Sequence, residues 1–305
     1  MGWFNFSIFS MWERSNAKAF EKSGLESRMV QVDNGSTVHV WVPKGYTTPP
    51  ADKPVVVLIH GFGATSIWQW EPQIKPFLQH FTVIALDLLF HGKSTTESTN
   101  RTESFQAETM MLCLNALGIT KFSVIGTSYG GFVSYRIVQK YPDAVEKLVL
   151  SNSAILMTPK DDQDLCKRGG AEIIPELLLP DSEEKVQRVL RLVFKKNPFF
   201  WCPNFILRDY IKTVHEPYRK EKTELLEALV IGKESAPSLM TKVDKDVLIV
   251  WGENDTIFLP QQAQRIKDYL GERAEVVMLE NAGHASQMEQ AAKWNSAVTE
   301  FLRRK

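Results

Sequence analysis

The run Gly126-Thr127-Ser128-Tyr129-Gly130 sets one hydroxyl among glycines. It follows a branched, strand-like stretch (121–125) and precedes a helix-length segment, so the chain must turn sharply at Ser128. A serine at such a turn projects Oγ at a helix N-terminus, where the dipole and free N–H groups favour developing negative charge. Gly126, Gly130 and Gly131 supply the room that the turn needs. Serine is a poor nucleophile at its free pKa and requires a base within hydrogen-bond reach. Of the six histidines, His284 lies in Asn281-Ala282-Gly283-His284, just after the last strand-like run. His91, after Asp87-Leu88-Leu89-Phe90, is its rival, because that loop leaves the same edge of a sheet. His39 sits inside an early strand and reads as a packed or surface side chain, while His80 and His215 read as solvated. The base in turn needs a carboxylate to fix its tautomer. Asp255, in Trp251-Gly252-Glu253-Asn254-Asp255, stands far enough into its loop to serve; Glu253 is the substitute, and a helix cap is the plainer role for Asp255.

A tetrahedral oxyanion requires two donors. The N–H after the nucleophile, that of Tyr129, is the first; the Phe62 N–H in His60-Gly61-Phe62-Gly63 is the second, since those glycines let backbone approach a reacting carbon. The same loop imitates a dinucleotide fingerprint, but Ser66 replaces the third glycine and the strand before it is not the first. A phosphate-binding loop is excluded by the lack of Gly-Lys-Ser/Thr.

These residues need a scaffold. Two runs, 29–33 and 37–42, surround Asn34-Gly35, a strong hairpin signal. Runs at 55–59, 81–86, 122–126, 145–150, 247–251 and 275–279 alternate with helix-length segments, notably 103–117 and 130–141, which argues for a mostly parallel sheet covered on both faces. A single helix over 286–302 closes the chain. From 155 to 240 no buried strand is expected; the stretch is helical and aromatic, with prolines at helix starts and turns. An insertion of this size reads as a cap over the sheet edge where open α/β sheets bind ligands. The expected division is an N-terminal aromatic segment (1–24), a core (25–154 and 241–305) and a helical cap (155–240).

The bulk numbers exclude other classes. Thirty-six basic residues balance 36 acidic ones in 305, which gives no electrostatic reason to expect nucleic acid. Three dispersed cysteines, Cys113, Cys166 and Cys202, suit reduced thiols in a cytoplasmic protein, with no C-x-x-C pair to suggest zinc. No apolar run is long enough to span a membrane. The segment with Trp3, Phe4, Phe6, Ile8, Phe9, Met11 and Trp12 reads as a helix packed on the body, with a weak, peripheral membrane contact as the alternative. Monomer and homodimer both stay open.

Taken with Leu58-Ile59-His60-Gly61-Phe62-Gly63, Trp68-Gln69-Trp70, Asp87-Leu88-Leu89-Phe90, Trp251-Gly252-Glu253-Asn254-Asp255 and Asn281-Ala282-Gly283-His284, the serine motif resembles the α/β-hydrolase family over nearly the whole length. More narrowly it looks like plant cytosolic esterases and monoacylglycerol lipase-like hydrolases. The resemblance implies an α/β-hydrolase fold with an eight-stranded, mostly parallel sheet, and the order serine, acid, histidine that favours His284 over His91. It implies an esterase acting without metal or organic cofactor through an acyl-enzyme on Ser128, with His284 as base and Asp255 as orienting carboxylate. Ser128 argues against the relatives that place aspartate at the elbow. His91 stands where a second aromatic is expected, which bears on the pocket wall. The implied substrate is a small, largely apolar ester, aromatic or fatty, held near Trp68, Trp70, Phe90 and Phe258, with inward-facing cap residues among Phe194, Phe199, Phe200, Trp201, Phe205 and Tyr210. Two other readings use the same residues: a ligand receptor with slow or absent catalysis, and an acyltransferase or hydroxynitrile lyase.

Overall fold

The structure is a computed structural model that describes residues 7–50, 53–229 and 241–304. The centre is a sheet built from β1 (Leu25–Val32), β2 (Ser36–Pro43), β3 (Val55–Ile59), β4 (Thr82–Leu86), β5 (Thr95–Thr96), β6 (Phe122–Thr127), β7 (Val145–Ser151), β8 (Asp246–Gly252) and β9 (Ala274–Leu279). Eight strands run in the order β1-β2-β4-β3-β6-β7-β8-β9, and the two-residue β5 pairs off this path with β2. β2 pairs antiparallel with β1 and β4; β4 through β9 along the path are parallel.

Alternation along each strand explains the two cores. Val57, Ile59, Val124 and Leu148 enter one apolar cluster, whereas Val56, Leu58, Ile125 and Val149 enter the other, on the opposite face. Every residue of β3, β4 and β6 is buried, as a strand covered on both faces requires. The Asp33–Gly35 hairpin loop has three residues, closed by Gly35 at φ +75°, a conformation glycine adopts without a Cβ penalty.

Helices flank the sheet: α1 (Ile8–Lys22), α2 (Ser66–Gln69), α3 (Glu71–Leu78), α4 (Glu103–Ala116) and α5 (Tyr129–Lys140). Between β7 and β8 the described residues hold α6 (Pro159–Gly169), α7 (Ile174–Leu178), α8 (Glu183–Val193), α9 (Asn204–Tyr210) and α10 (Arg219–Glu227), with no strand among them. A π-helical turn, Ile211–His215, continues α9. Pro159, Pro175 and Pro203 open or cap their helices, where a missing N–H costs nothing. The expected closing helix is two: Ser286–Glu289 and Ala291–Arg303, separated by Gln290 at φ −125°. Among the described residues no helix is long and apolar enough to cross a membrane.

The N-terminal helix is part of the body. Ser7 caps it by accepting from Ser10 N–H, and Asp209 of α9 accepts from both Ser7 Oγ (3.0 Å) and Phe9 N–H (2.7 Å). Phe20 packs on Trp41 with ring centroids 5.1 Å apart. Trp3, Phe4 and Phe6 lie outside the described residues.

Candidate active site

β6 ends in a backbone that few side chains tolerate: Ser128 has φ +52° and ψ −124°. The strained residue is held from both sides, its N–H donating to Ser151 O (3.0 Å) and its carbonyl accepting from Ser153 Oγ (2.7 Å). The elbow also needs glycine. A Cβ on Gly126 would lie 2.3 Å from Gly130 O, and one on Gly130 would lie 2.3 Å from Ile59 O and His60 O. The turn places Ser128 at the head of α5, where the Tyr129 N–H has no carbonyl four residues back to accept it.

Asp255 and His284, the expected acid and base, stand on the loops after β8 and β9 at the same edge of the sheet. Asp255 is 1% exposed, and all four of its partners donate to it. Oδ1 accepts from Ile257 N–H and Phe258 N–H, each at 2.9 Å; Oδ2 accepts from Asn152 Nδ2 (2.8 Å) and His284 Nδ1 (2.9 Å). The carboxylate thereby fixes the His284 proton on Nδ1 and leaves Nε2 with its lone pair. Phe258 sets its ring edge-on to the His284 imidazole at 5.3 Å. The two loops touch closely: Asn254 N–H donates to Ala282 O (2.9 Å), and a Cβ on Gly252 would lie 2.2 Å from Gly283 O. Glu253 is exposed and takes no part.

Ser128 and His284 line one cavity of about 700 Å³. Ser128 Oγ has no hydrogen bond to a protein group among the described residues; the hydroxyl and the ring share the cavity wall without a bond between them. Catalytic hydrogen bonds commonly tighten only with substrate bound.

The Phe62 loop has a specific internal logic. Gly61 N–H donates to Gln69 Oε1 (2.6 Å), and Gly63 N–H donates to His91 Nε2 (3.2 Å). The N–H between them, on Phe62, donates to nothing among the described residues. His91 is suited to its task because Nδ1 donates to Leu89 O (3.1 Å), so Nε2 must be the acceptor. Burial, with the charges of His60 and Lys222, holds His91 well below the ordinary histidine range, so it stays neutral. Beneath the loop Asp87 accepts from Ser66 N–H (2.8 Å) and His39 Nδ1 (2.6 Å). Burial opposes its charge, but the His39 contacts prevail and hold the carboxyl below the usual carboxylate range.

Several expectations need correction. His91 supports the loop from behind and does not line the cavity. Phe90 is not a wall either: at φ +66° it turns away to pack with Leu89, Phe105 and Leu225. Trp70 is fully buried against Trp294 on the other side of the sheet. Trp68 and Phe258 do line the cavity, as do Phe194, Phe199 and Tyr210 of the insertion, whereas Phe200, Trp201 and Phe205 are exposed. His215 is buried and not solvated. His39 is packed, bridging Asp87 and Ser27 Oγ.

Three contributors were not expected at the site from sequence. Asn152, at φ +46° after β7, bridges Asp255 and Ser286 Oγ; an asparagine just past a strand at this edge was the available signal. Phe9 and Trp12 of α1 line the cavity beside Trp68, with centroids 4.6 and 5.5 Å from its ring. No group of three or more metal-ligating side chains occurs among the described residues.

Residues 54–291 match the model of the alpha/beta hydrolase fold family. This chain belongs to the α/β-hydrolase family. Among the relatives of the hydrolase, the monoacylglycerol lipase abhd6-A of Xenopus laevis is 27% identical over 263 residues, covering 83% of this chain and 76% of its own. Lipase 1 of Psychrobacter immobilis is 28% identical over 275 residues, 88% of this chain and 81% of its own. Epoxide hydrolase 4 of Mus musculus is 25% identical over 273 residues, 82% and 73%. The fold is shared with 2-hydroxy-6-oxo-6-phenylhexa-2,4-dienoate hydrolase from Rhodococcus (TM-score 0.75, 22% identity, 92% of this chain and 100% of that one). It is shared as well with carboxylesterase CesB of Bacillus subtilis (TM-score 0.68, 20% identity, 95% and 98%).

Proposed function

We propose that the protein is a serine hydrolase that cleaves a largely apolar carboxylic ester through an acyl-enzyme on Ser128. The observation that carries this reading is that Ser128, His284 with Asp255 on its Nδ1, and Phe62, whose N–H donates to nothing among the described residues, meet around one cavity. In the first half-reaction His284 Nε2 takes the Ser128 proton as Oγ attacks the carbonyl. Negative charge develops on the carbonyl oxygen, and the N–H groups of Phe62 and Tyr129 are the donors that receive it. The imidazolium is stabilised by Asp255 and returns its proton to the leaving alcohol. Water, deprotonated by the same ring, then attacks the acyl carbon and releases the acid.

The substrate class follows from the wall. Phe9, Trp12, Trp68, Phe132, Leu178 and Phe258 offer apolar surface, which suits a fatty or aryl acyl group. That lipases and a monoacylglycerol lipase are among the relatives agrees with a fatty ester. In this reading the described helices between β7 and β8 form the cap, and α1 completes the wall.

Turnover of p-nitrophenyl butyrate tests the reading. Wild-type protein is expected to hydrolyse it, and Ser128→Ala to lose the activity. A Ser128→Ala protein that keeps wild-type turnover sinks the proposal. Ligand-dependent partner binding without turnover would identify a receptor instead, and transfer to an added alcohol in preference to water would identify an acyltransferase.

A further inference from the structure

The hydrolase reading leaves a buried histidine on the cavity wall without an occupation. His215 is 3% exposed, lines the same cavity as Ser128 and His284, and neither of its ring nitrogens has a hydrogen-bond partner among the described residues. Leaving a buried polar group unpaired is costly, so an unmatched histidine calls for an explanation. Its position gives one. The ring edge lies over the Phe62 loop, with Cε1 only 3.7 Å from where a Gly63 Cβ would stand, and Tyr210 packs edge-on behind it at 4.9 Å. His215 closes the π-helical turn Ile211–His215, sealed by Glu216 N–H donating to Ile211 O (3.0 Å). Such turns cost helix stability and recur at functional sites.

The ring's chemistry limits what it can bind. Burial first, then the cationic Lys222 and Arg219, pushes His215 down to about 3, so the imidazole is neutral across the working range. Lys222 is itself fixed, donating to Val214 O (2.6 Å) and Pro217 O (2.9 Å), and offers the ring no acceptor. A neutral imidazole has one donor and one acceptor. It thus matches a hydroxyl, which both gives and accepts, better than a carboxylate or an ammonium. A half-turn about χ2 exchanges Cε1 with Nε2 and brings a nitrogen to the edge over Gly63 without displacing the ring. The apolar wall suits the acyl chain, which leaves the polar contact beside the Phe62 loop to the alcohol half.

We propose that His215 is a specificity residue that hydrogen-bonds a hydroxyl carried by the alcohol half of the ester. The assignment rests on the ester-hydrolase reading. It is tested with the full chain and two esters of near-equal size, 2-hydroxyethyl decanoate and n-propyl decanoate, whose alcohols differ by OH in place of CH3. Wild type is expected to favour the hydroxylated ester about tenfold in kcat/KM, the worth of one net hydrogen bond, with the preference in KM. His215→Leu brings the ratio to about one, and His215→Gln, which keeps a donor and an acceptor, restores part of it. A wild-type ratio near one, or a ratio unchanged in His215→Leu, overturns the assignment while ester hydrolysis stands. If His215→Leu does not fold, the wild-type ratio and that of His215→Gln decide. Failure to hydrolyse either ester overturns the hydrolase reading, and this assignment with it.

Discussion

Asp255→Asn changes one atom at the best-connected carboxylate of the site. All four partners of Asp255 are donors, and an amide has acceptor capacity on only one of its two ends. The backbone N–H groups of Ile257 and Phe258 cannot reorient, so the amide oxygen stays with them. The NH2 group then faces Asn152 Nδ2 and His284 Nδ1. Asn152 cannot flip without losing the Ser286 hydroxyl that donates to its Oδ1. His284 can respond, by moving its proton from Nδ1 to Nε2, and that leaves no lone pair facing Ser128. One buried donor is left poorly matched, at about 1–3 kcal/mol of stability, which a domain of this size tolerates. Catalysis suffers far more: a base held in the wrong tautomer loses about 10⁴-fold in kcat, roughly 5 kcal/mol of barrier. Steady-state hydrolysis of p-nitrophenyl butyrate, beside a urea titration of the same preparation, reads both quantities. A variant that folds and keeps more than a tenth of wild-type kcat refutes the argument.

Two further outcomes follow from the geometry. Gln69→Leu and His91→Phe each remove one of the acceptors that flank the Phe62 N–H; kcat is expected to fall about 10- to 100-fold with KM little changed, and inhibition by a trifluoromethyl ketone to weaken in parallel. Equal losses in the binding of a ground-state ester analogue would show a general collapse of the cavity instead. The lowered His215 has a pH signature as well: above pH 6.5 both folded and unfolded forms are neutral and its contribution is complete, and it is lost as pH falls towards about 3, because only the unfolded chain takes up the proton. Between pH 7 and pH 5 the urea-derived stability of His215→Leu should therefore fall less than that of wild type, by at most about 2 kcal/mol; identical losses would contradict the burial of a neutral ring.

The strands were legible because the signal is strong where both faces are buried: β3 begins and ends at the expected residues, β4, β6, β7 and β9 differ by one residue at one end, and β8 by one residue at each end. The two-residue Thr95–Thr96 pair has no such pattern. Gln290 carries no helix-breaking signature, so the division of the last helix could not be read. At the site, local sequence announces the serine turn through its glycines. His284 and Phe62 line the cavity with Ser128, and the buried Asp255 accepts from His284 Nδ1. What sequence could not convey was direction. Phe90 and Phe258 both follow strands at the same sheet edge, yet a positive φ turns Phe90 towards Leu225 while Phe258 meets the His284 ring. The insertion and α1 place residues on the cavity through packing between segments some 200 positions apart, as Phe9 and Tyr210 do, and no period in the chain encodes such a meeting.

The most direct measurement is to stop the reaction with p-nitrophenyl butyrate by rapid acid quench and locate the acyl group by peptide mass spectrometry. The account predicts a butyryl ester on the hydroxyl of residue 128, formed at the rate of the initial p-nitrophenol burst and absent from Ser128→Ala. An acyl group found on another side chain, or steady turnover by Ser128→Ala at the wild-type rate, would contradict it.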